Sequence, residues 1–160
     1  MDAVPGSIRA IDAALELRAW MDRVRRVFVL TGAGCSTPSG IPDYRDANGA
    51  WKRKPPVTFQ ALTGDATAYR RYWARSFAGW PRFADARPNA THHALADWQR
   101  TGAVSAIVTQ NVDGLHQRAG SEDVIDLHGR LDAVVCWIAV CVKRGRRYRS
   151  CFASATRIGL

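Results

Sequence analysis

A continuous apolar run, Val27-Phe28-Val29-Leu30, passes straight into Thr31-Gly32-Ala33-Gly34-Cys35-Ser36. This junction constrains the fold more than any other segment. An uninterrupted apolar run predicts a strand covered on both faces, as in a parallel sheet. The glycines predict a sharp strand-to-helix turn whose backbone can approach a phosphate closely. Amide groups at a following helix start would favour that charge. The pair Gly32 and Gly34 alone fits a plain tight turn as well as a phosphate cradle. The third glycine of the usual dinucleotide fingerprint is absent, Thr37 standing in its place.

Two further strands are predicted. Ala103–Thr109 and Val124–Leu127 are short apolar runs, each followed by polar residues. Between them and the first strand lies a helical stretch. A helix is also predicted from Ile8 to Met21, with apolar residues at Ile8, Ile11 and Leu15. Residues 58–99 read as helices, with Tyr69, Tyr72, Trp73, Phe77 and Trp80 at three- and four-residue spacing. That stripe reads as core. Pro88-Asn89-Ala90-Thr91 reads as a helix start capped by Asn89 or Thr91. Pro38, Gly40 and Pro42 punctuate an ordered loop over 39–48. Strands alternating with helices give an α/β fold with a parallel sheet. The expected division is 1–57 as the first part of a Rossmann-like domain, 58–99 as a helical insert, 100–135 as the return, and 136–160 as a basic tail.

The polar residues after each strand carry the chemistry. Gln110-Asn111-Val112-Asp113 follows the second strand, where open α/β sheets bind ligands. Asn111 and Asp113 suit ribose hydroxyls or a carboxamide, or a helix cap. Asp43-Tyr44-Arg45 follows the glycine turn, and Arg45 suits a phosphate or a local carboxylate. His128 follows the third strand, and an imidazole there can act as a base near neutral pH. His92, His93 and His116 compete with it. His92 and His93 are adjacent and so face different ways, and His116 reads as pocket support. Cys35 reads as buried filler.

Three blocks in this order resemble the sirtuins, the NAD-dependent protein deacylases: Thr31–Ser36 with Gly40–Arg45, Thr109–His116, and Leu127-His128-Gly129. The resemblance runs from about Val24 to Cys136. It implies a partial Rossmann-like, doubly wound sheet with a helical insert and an incomplete zinc module. It implies that Gly32, Ala33, Gly34, Ser36, Asp43, Tyr44, Arg45, Gln110, Asn111 and Asp113 bind NAD, with His128 as general base. The implied substrate is an acyl-lysine protein. Its acyl oxygen attacks the anomeric carbon, nicotinamide leaves, and His128 deprotonates a ribose hydroxyl that then attacks the acyl carbon. Tyr72-Trp73-Ala74-Arg75, Gly79-Trp80-Pro81 and Arg87-Pro88-Asn89 look like the class II branch and its bacterial relatives. That branch leaves the acyl preference open.

The resemblance also implies a four-cysteine zinc site. Cys136 is the one matching ligand; the next cysteine, Cys141, follows at C-x4-C spacing rather than C-x-x-C, so zinc binding by this chain is not expected. One base restored before the Trp137 codon, with GC-rich codons, would read Leu-Asp-Cys-Gly-Val-Arg-Glu-Ala and supply the partner. A frameshifted tail is therefore expected, and with it a chain of poor solubility and little activity. Charge agrees: residues 1–135 hold 17 basic and 14 acidic residues, net +3, whereas residues 136–160 hold 6 basic and none acidic, net +6. Such a tail offers an alternative reading as a nucleic-acid-binding protein, which no other segment supports. No apolar run approaches the roughly 18 residues of a membrane span, and no secretory signal is visible, so a cytoplasmic location is the default expectation.

Overall fold

In the computed structural model, the backbone is described for residues 5–46, 48–52, 54–136 and 141–144. Three strands, β1 (Val27–Thr31), β2 (Val104–Thr109) and β3 (Val124–Asp126), form a parallel sheet in the order β1-β2-β3. Five helices accompany them: α1 (Pro5–Met21), α2 (Phe59–Gly64), α3 (Ala66–Asp85), α4 (Ala90–Arg100) and α5 (Leu115–Arg118). A hairpin of β4 (Ala133–Cys136) and β5 (Cys141–Arg144) comes last, antiparallel. The basic tail beyond Arg144, and with it the nucleic-acid reading, lies outside the described residues.

Helix α4 covers one face of the sheet. Leu95 and Trp98 on the helix pack with Val27, Val29, Val104, Ile107 and Val124. The β1–β2 register shifts between Val27 and Phe28, so that Val27 pairs with Val104 but Phe28 with Ala106. Ser105 is the skipped residue, and its hydroxyl donates to the Val27 carbonyl at 3.1 Å. This bulge keeps Val104 and Ile107, three residues apart, in one cluster; strict alternation would separate them.

The other face corrects the two-sided cover expected for β1. Phe28 is 62% and Leu30 57% exposed, and across β2 Ile125 and Leu127 are each 54% exposed, while Val108 between Leu30 and Ile125 is buried. The strand therefore alternates between a covered and an open side. Helix α1 is present as expected, yet Ile11, Leu15, Leu17 and Trp20 on it are exposed as well. Nor is the aromatic stripe of α3 core. No residue of α3 is fully buried. Trp73 instead packs edge-on to Tyr69 and Tyr72 and tilted against Phe77, so the rings mainly cover one another.

Two devices set the start of α4 and α5. Asn89 caps α4, its side chain accepting from the Thr91 amide, while its own amide donates to His92 Nδ1. Gly114 precedes α5 with φ +71°. A second small core of Ile41, Ala86 and Leu115, joined by Phe83, lies under the loops that succeed β1 and β2.

Candidate dinucleotide site

The carboxyl ends of the strands bring the separated blocks together. Thr31 and Thr109 end β1 and β2 side by side, and the Thr31 hydroxyl donates to Thr109 Oγ1 at 2.8 Å. The Gln110 amide donates to the Thr31 carbonyl, and the Leu127 amide to the Thr109 carbonyl. Residues 32–36, 110–113 and 127–128 thus share one edge, where open α/β sheets bind ligands.

The glycine turn is open on its outer side. Gly32 is extended, and a Cβ added at Gly32 or Gly34 would meet nothing within 4 Å. The chain then enters a seven-residue 3-10 helix, Ala33–Ser39, rather than the α-helix start expected. Asn89 clamps it to α4, donating from Nδ2 to the Cys35 carbonyl and to Ser39 Oγ, both at 2.9 Å. Sequence reasoning saw Asn89 as a cap and missed this second role.

Asn111, Ser36 and Asp113 form a continuous chain. Asn111 Nδ2 donates to the Gly32 carbonyl at 3.0 Å and to Ser36 Oγ at 3.1 Å. Ser36 Oγ donates to Asp113 Oδ2 at 2.8 Å, and Asp113 Oδ1 accepts from the Leu115 amide at 2.9 Å. Ser36 is 1% exposed. A buried hydroxyl with both a donor and an acceptor partner is satisfied and therefore rigid. The network fixes the glycine turn against the β2 end.

Asp43, Tyr44 and Arg45 stand apart from that network. Asp43 pairs with Lys52 at 2.6 Å. Arg45 donates to the Gly49 carbonyl and lies 4.0 Å over the Trp51 ring. These contacts close the 43–52 loop on itself, while Tyr44 is exposed. Asp43 and Tyr44 line a cleft of about 590 Å³ that runs between the loop, α3 (Tyr72, Arg75) and Val112 with Leu131. Val112 joins this cleft to the Asn111–Asp113 network.

His128 is exposed at the edge of the site. Its Nδ1 lies 3.0 Å from the Gln110 carbonyl. A carbonyl can only accept, so Nδ1 carries a proton, and in the neutral ring the lone pair is then on Nε2. That is the tautomer a general base needs. The two other central histidines are unsuited to that role, being buried. Burial, with His92 beside it, pushes the His116 imidazole down to about 4. Burial also lowers that of His92. His93 is exposed on the outer side of α4. Cys35 is half-buried rather than filler, 3.8 Å from His92 Nε2. Burial first, then the Asp113 charge, raises its thiol.

At the far end, β4 and β5 pair Cys136 with Cys141 across the hairpin. From Cys136 onward the sequence offers three cysteines, Cys136, Cys141 and Cys151, where a four-thiolate site needs four. The residues present do not make up that set, and no zinc is assigned there.

A family profile described as the Sir2 family matches residues 32–153. The chain belongs to the Sir2 family. The Sir2 match continues past Cys136, where the resemblance read from the sequence ended. An NAD-dependent protein deacetylase of Xanthomonas campestris is 63% identical over 120 residues, 75% of this chain and 41% of that protein. One of Bordetella pertussis is 60% identical over 131 residues, 82% of this chain and 47% of that protein. Among solved Sir2 structures, an ADP-ribose complex of a Sir2 homologue matches at 35% identity and TM-score 0.71, over 81% of this chain and 52% of the other. A Sir2 complex with a p53 peptide and NAD+ matches at 33% identity and TM-score 0.70, over 81% and 51%. The chain thus spans less than half the length of these curated relatives and about half of these structures. The Sir2 Rossmann-like fold is the fold of this chain, which supplies part of it: one parallel three-stranded sheet covered on one side.

No helix among the described residues is long and apolar enough to cross a membrane.

Proposed function

We propose that the site binds NAD and serves NAD-dependent removal of acyl groups from protein lysine side chains. The observation that carries this reading is the pairing of an open glycine turn with His128. The turn leaves room for a pyrophosphate beside Gly32 and Gly34, and His128 stands at the same sheet edge with Nδ1 on the Gln110 carbonyl. The residues present fit the dinucleotide. Gly32, Ala33, Gly34 and Ser36 would hold its phosphate side. Gln110, Asn111 and Asp113 would hold the ribose and carboxamide, and Asp43, Tyr44 and Arg45 would close the loop over it. Bound NAD supplies an electrophilic anomeric carbon. His128 Nε2 would take a proton from a ribose hydroxyl, with the Gln110 carbonyl orienting the imidazole through Nδ1. The relatives named deacetylases and the Sir2 complex with peptide and NAD+ support the reading. The proposed location is the cytoplasm.

A second reading, a site-bearing but inactive chain, is favoured by the open sheet face at Phe28, Leu30, Ile125 and Leu127. One experiment separates the two. NAD and an acetyl-lysine peptide are offered to this chain, and to a chimera joining residues 1–136 to the remaining portion of the Xanthomonas protein. Free lysine that requires NAD and vanishes in His128→Ala supports deacylation. Turnover by the chimera alone supports the second reading for this chain. Turnover by neither overturns the proposal.

A further inference from the structure

Cys35, His92 and His116 come from three separate blocks, yet one ligand atom of each lies within 4.8 Å of the other two. Both histidines are buried, with ring centroids 4.8 Å apart, and Cys35 reaches partial exposure on the glycine turn. The cluster sits behind the dinucleotide site and is used by none of its proposed steps.

The distances suit a small, borderline-soft ion. With bonds of about 2.3 Å to sulfur and about 2.0 Å to nitrogen, a tetrahedral Zn2+ holds its S and N ligands about 3.5 Å apart. Cys35 Sγ and His92 Nε2 are already 3.8 Å apart. His116 Nε2 contacts Thr31 Oγ1 at 2.9 Å, while Nδ1 of the same ring is buried with no hydrogen-bond partner. A buried ring nitrogen without a partner is an unmet demand. The Asp113 carboxylate lies close enough to act electrostatically on all three groups, adding negative charge that favours a cation.

We propose that Cys35, His92 and His116 bind one Zn2+-class ion behind the glycine turn. The proton count is explicit. The Cys35 thiol releases its proton to water and coordinates as thiolate. His92 Nδ1 now accepts from the Asn89 amide, so its proton sits on Nε2. Coordination through Nε2 moves that proton to Nδ1 and breaks the Asn89 bond. His116 gives a ring lone pair, and a water completes the fourth position. Occupancy therefore ties the turn, α4 and α5 to one point and loosens the α4 cap. Borderline-soft ions that prefer sulfur and imidazole are selected over Mg2+ or Ca2+.

The test uses the full chain with Cys136, Cys141 and Cys151 changed to serine, so that Cys35 is the only thiol. Co2+ is titrated as the spectroscopic probe. The expected result is saturation at one ion per chain, with a thiolate-to-cobalt charge-transfer band and tetrahedral visible bands that Zn2+ displaces. The charge-transfer band is lost on adding Cys35→Ala, and binding weakens at least tenfold in His92→Gln. Should His92→Gln fail to fold, the half-exposed Cys35→Ala variant, checked by circular dichroism, decides alone. A folded protein that gives no charge-transfer band overturns the proposal. So does Co2+ binding of unchanged affinity in Cys35→Ala.

Discussion

Ser36 Oγ donates a 2.8 Å hydrogen bond to Asp113 Oδ2 across 77 positions of sequence, with Asn111 Nδ2 donating to the same hydroxyl. One hydroxyl thereby links the turn after β1 to the end of β2. Ser36→Ala removes a donor and an acceptor together in a site that water does not reach. Leaving a buried polar group without its partner costs about 1–3 kcal/mol. Chemical denaturation of the variant is expected to show a loss of that size. Thr37→Ala, which breaks an exposed bond to the Gly34 carbonyl, is expected to stay within about 0.5 kcal/mol of the parent.

Gly114 meets two demands at once. Its φ is +71°, and an added Cβ would lie 2.8 Å from Arg130 Nη2. Arg130 has little freedom to retreat, since Nε and Nη2 bond both oxygens of Asp132 at 2.8 and 2.7 Å. Gly114→Ala is therefore expected to destabilise by about 1–3 kcal/mol through strain at this turn. Gly64→Ala is the control: it lies at the end of α2 with open space around it and no positive φ, and its melting temperature should not fall.

Acid should unfold the chain earlier than its carboxylates alone require. The His116 imidazole is held at about 4, below its ordinary 6.5, chiefly by burial and then by His92, with Asp113 and Asp126 opposing. The unfolded chain therefore binds a proton at higher pH than the folded one. Stability from keeping His116 neutral is fully present above pH 6.5 and is lost as the pH falls toward 4. His92 acts in the same direction, through burial first. Urea midpoints at pH 7, 6 and 5 should decline steadily, with a shallower decline in His116→Asn. A midpoint independent of pH over this range contradicts the assignment.

The two faces of the sheet should respond oppositely to substitution. Ile107 is fully buried against α4, and Ile107→Ala is expected to cost about 2–5 kcal/mol. Leu30 stands on the open face, so Leu30→Thr is expected to change stability by less than about 0.5 kcal/mol. It should nonetheless raise solubility, because the open apolar face is the aggregation surface. Comparing denaturation midpoints with the soluble fraction after expression checks both.

The strands and α4 were legible because their signals are local. A short apolar run ending in glycine or polar residues marks a strand, and Asn89 marks a cap. The placement of polar blocks at strand ends was legible for the same reason, since topology puts those ends on one edge. Cover was not legible. Val27–Leu30 reads as two-sided, but whether a second layer packs on Phe28 and Leu30 depends on long-range contacts that the run does not encode. The α3 stripe misled likewise, because helical spacing shows that rings share a face and not what that face meets. Nor could spacing show that His92 and His116, read as competitors of His128, lie with their rings tilted 4.8 Å apart beside Cys35.

The most direct test of the central claim, that these strand ends form a dinucleotide site, is a calorimetric titration of this chain with ADP-ribose. Saturable one-to-one binding is predicted, weakened at least tenfold in Asn111→Ala and unchanged in Ser105→Ala, which alters the amino end of β2, away from the site. Absence of binding by the folded chain, or equal affinity in all three proteins, would contradict the account.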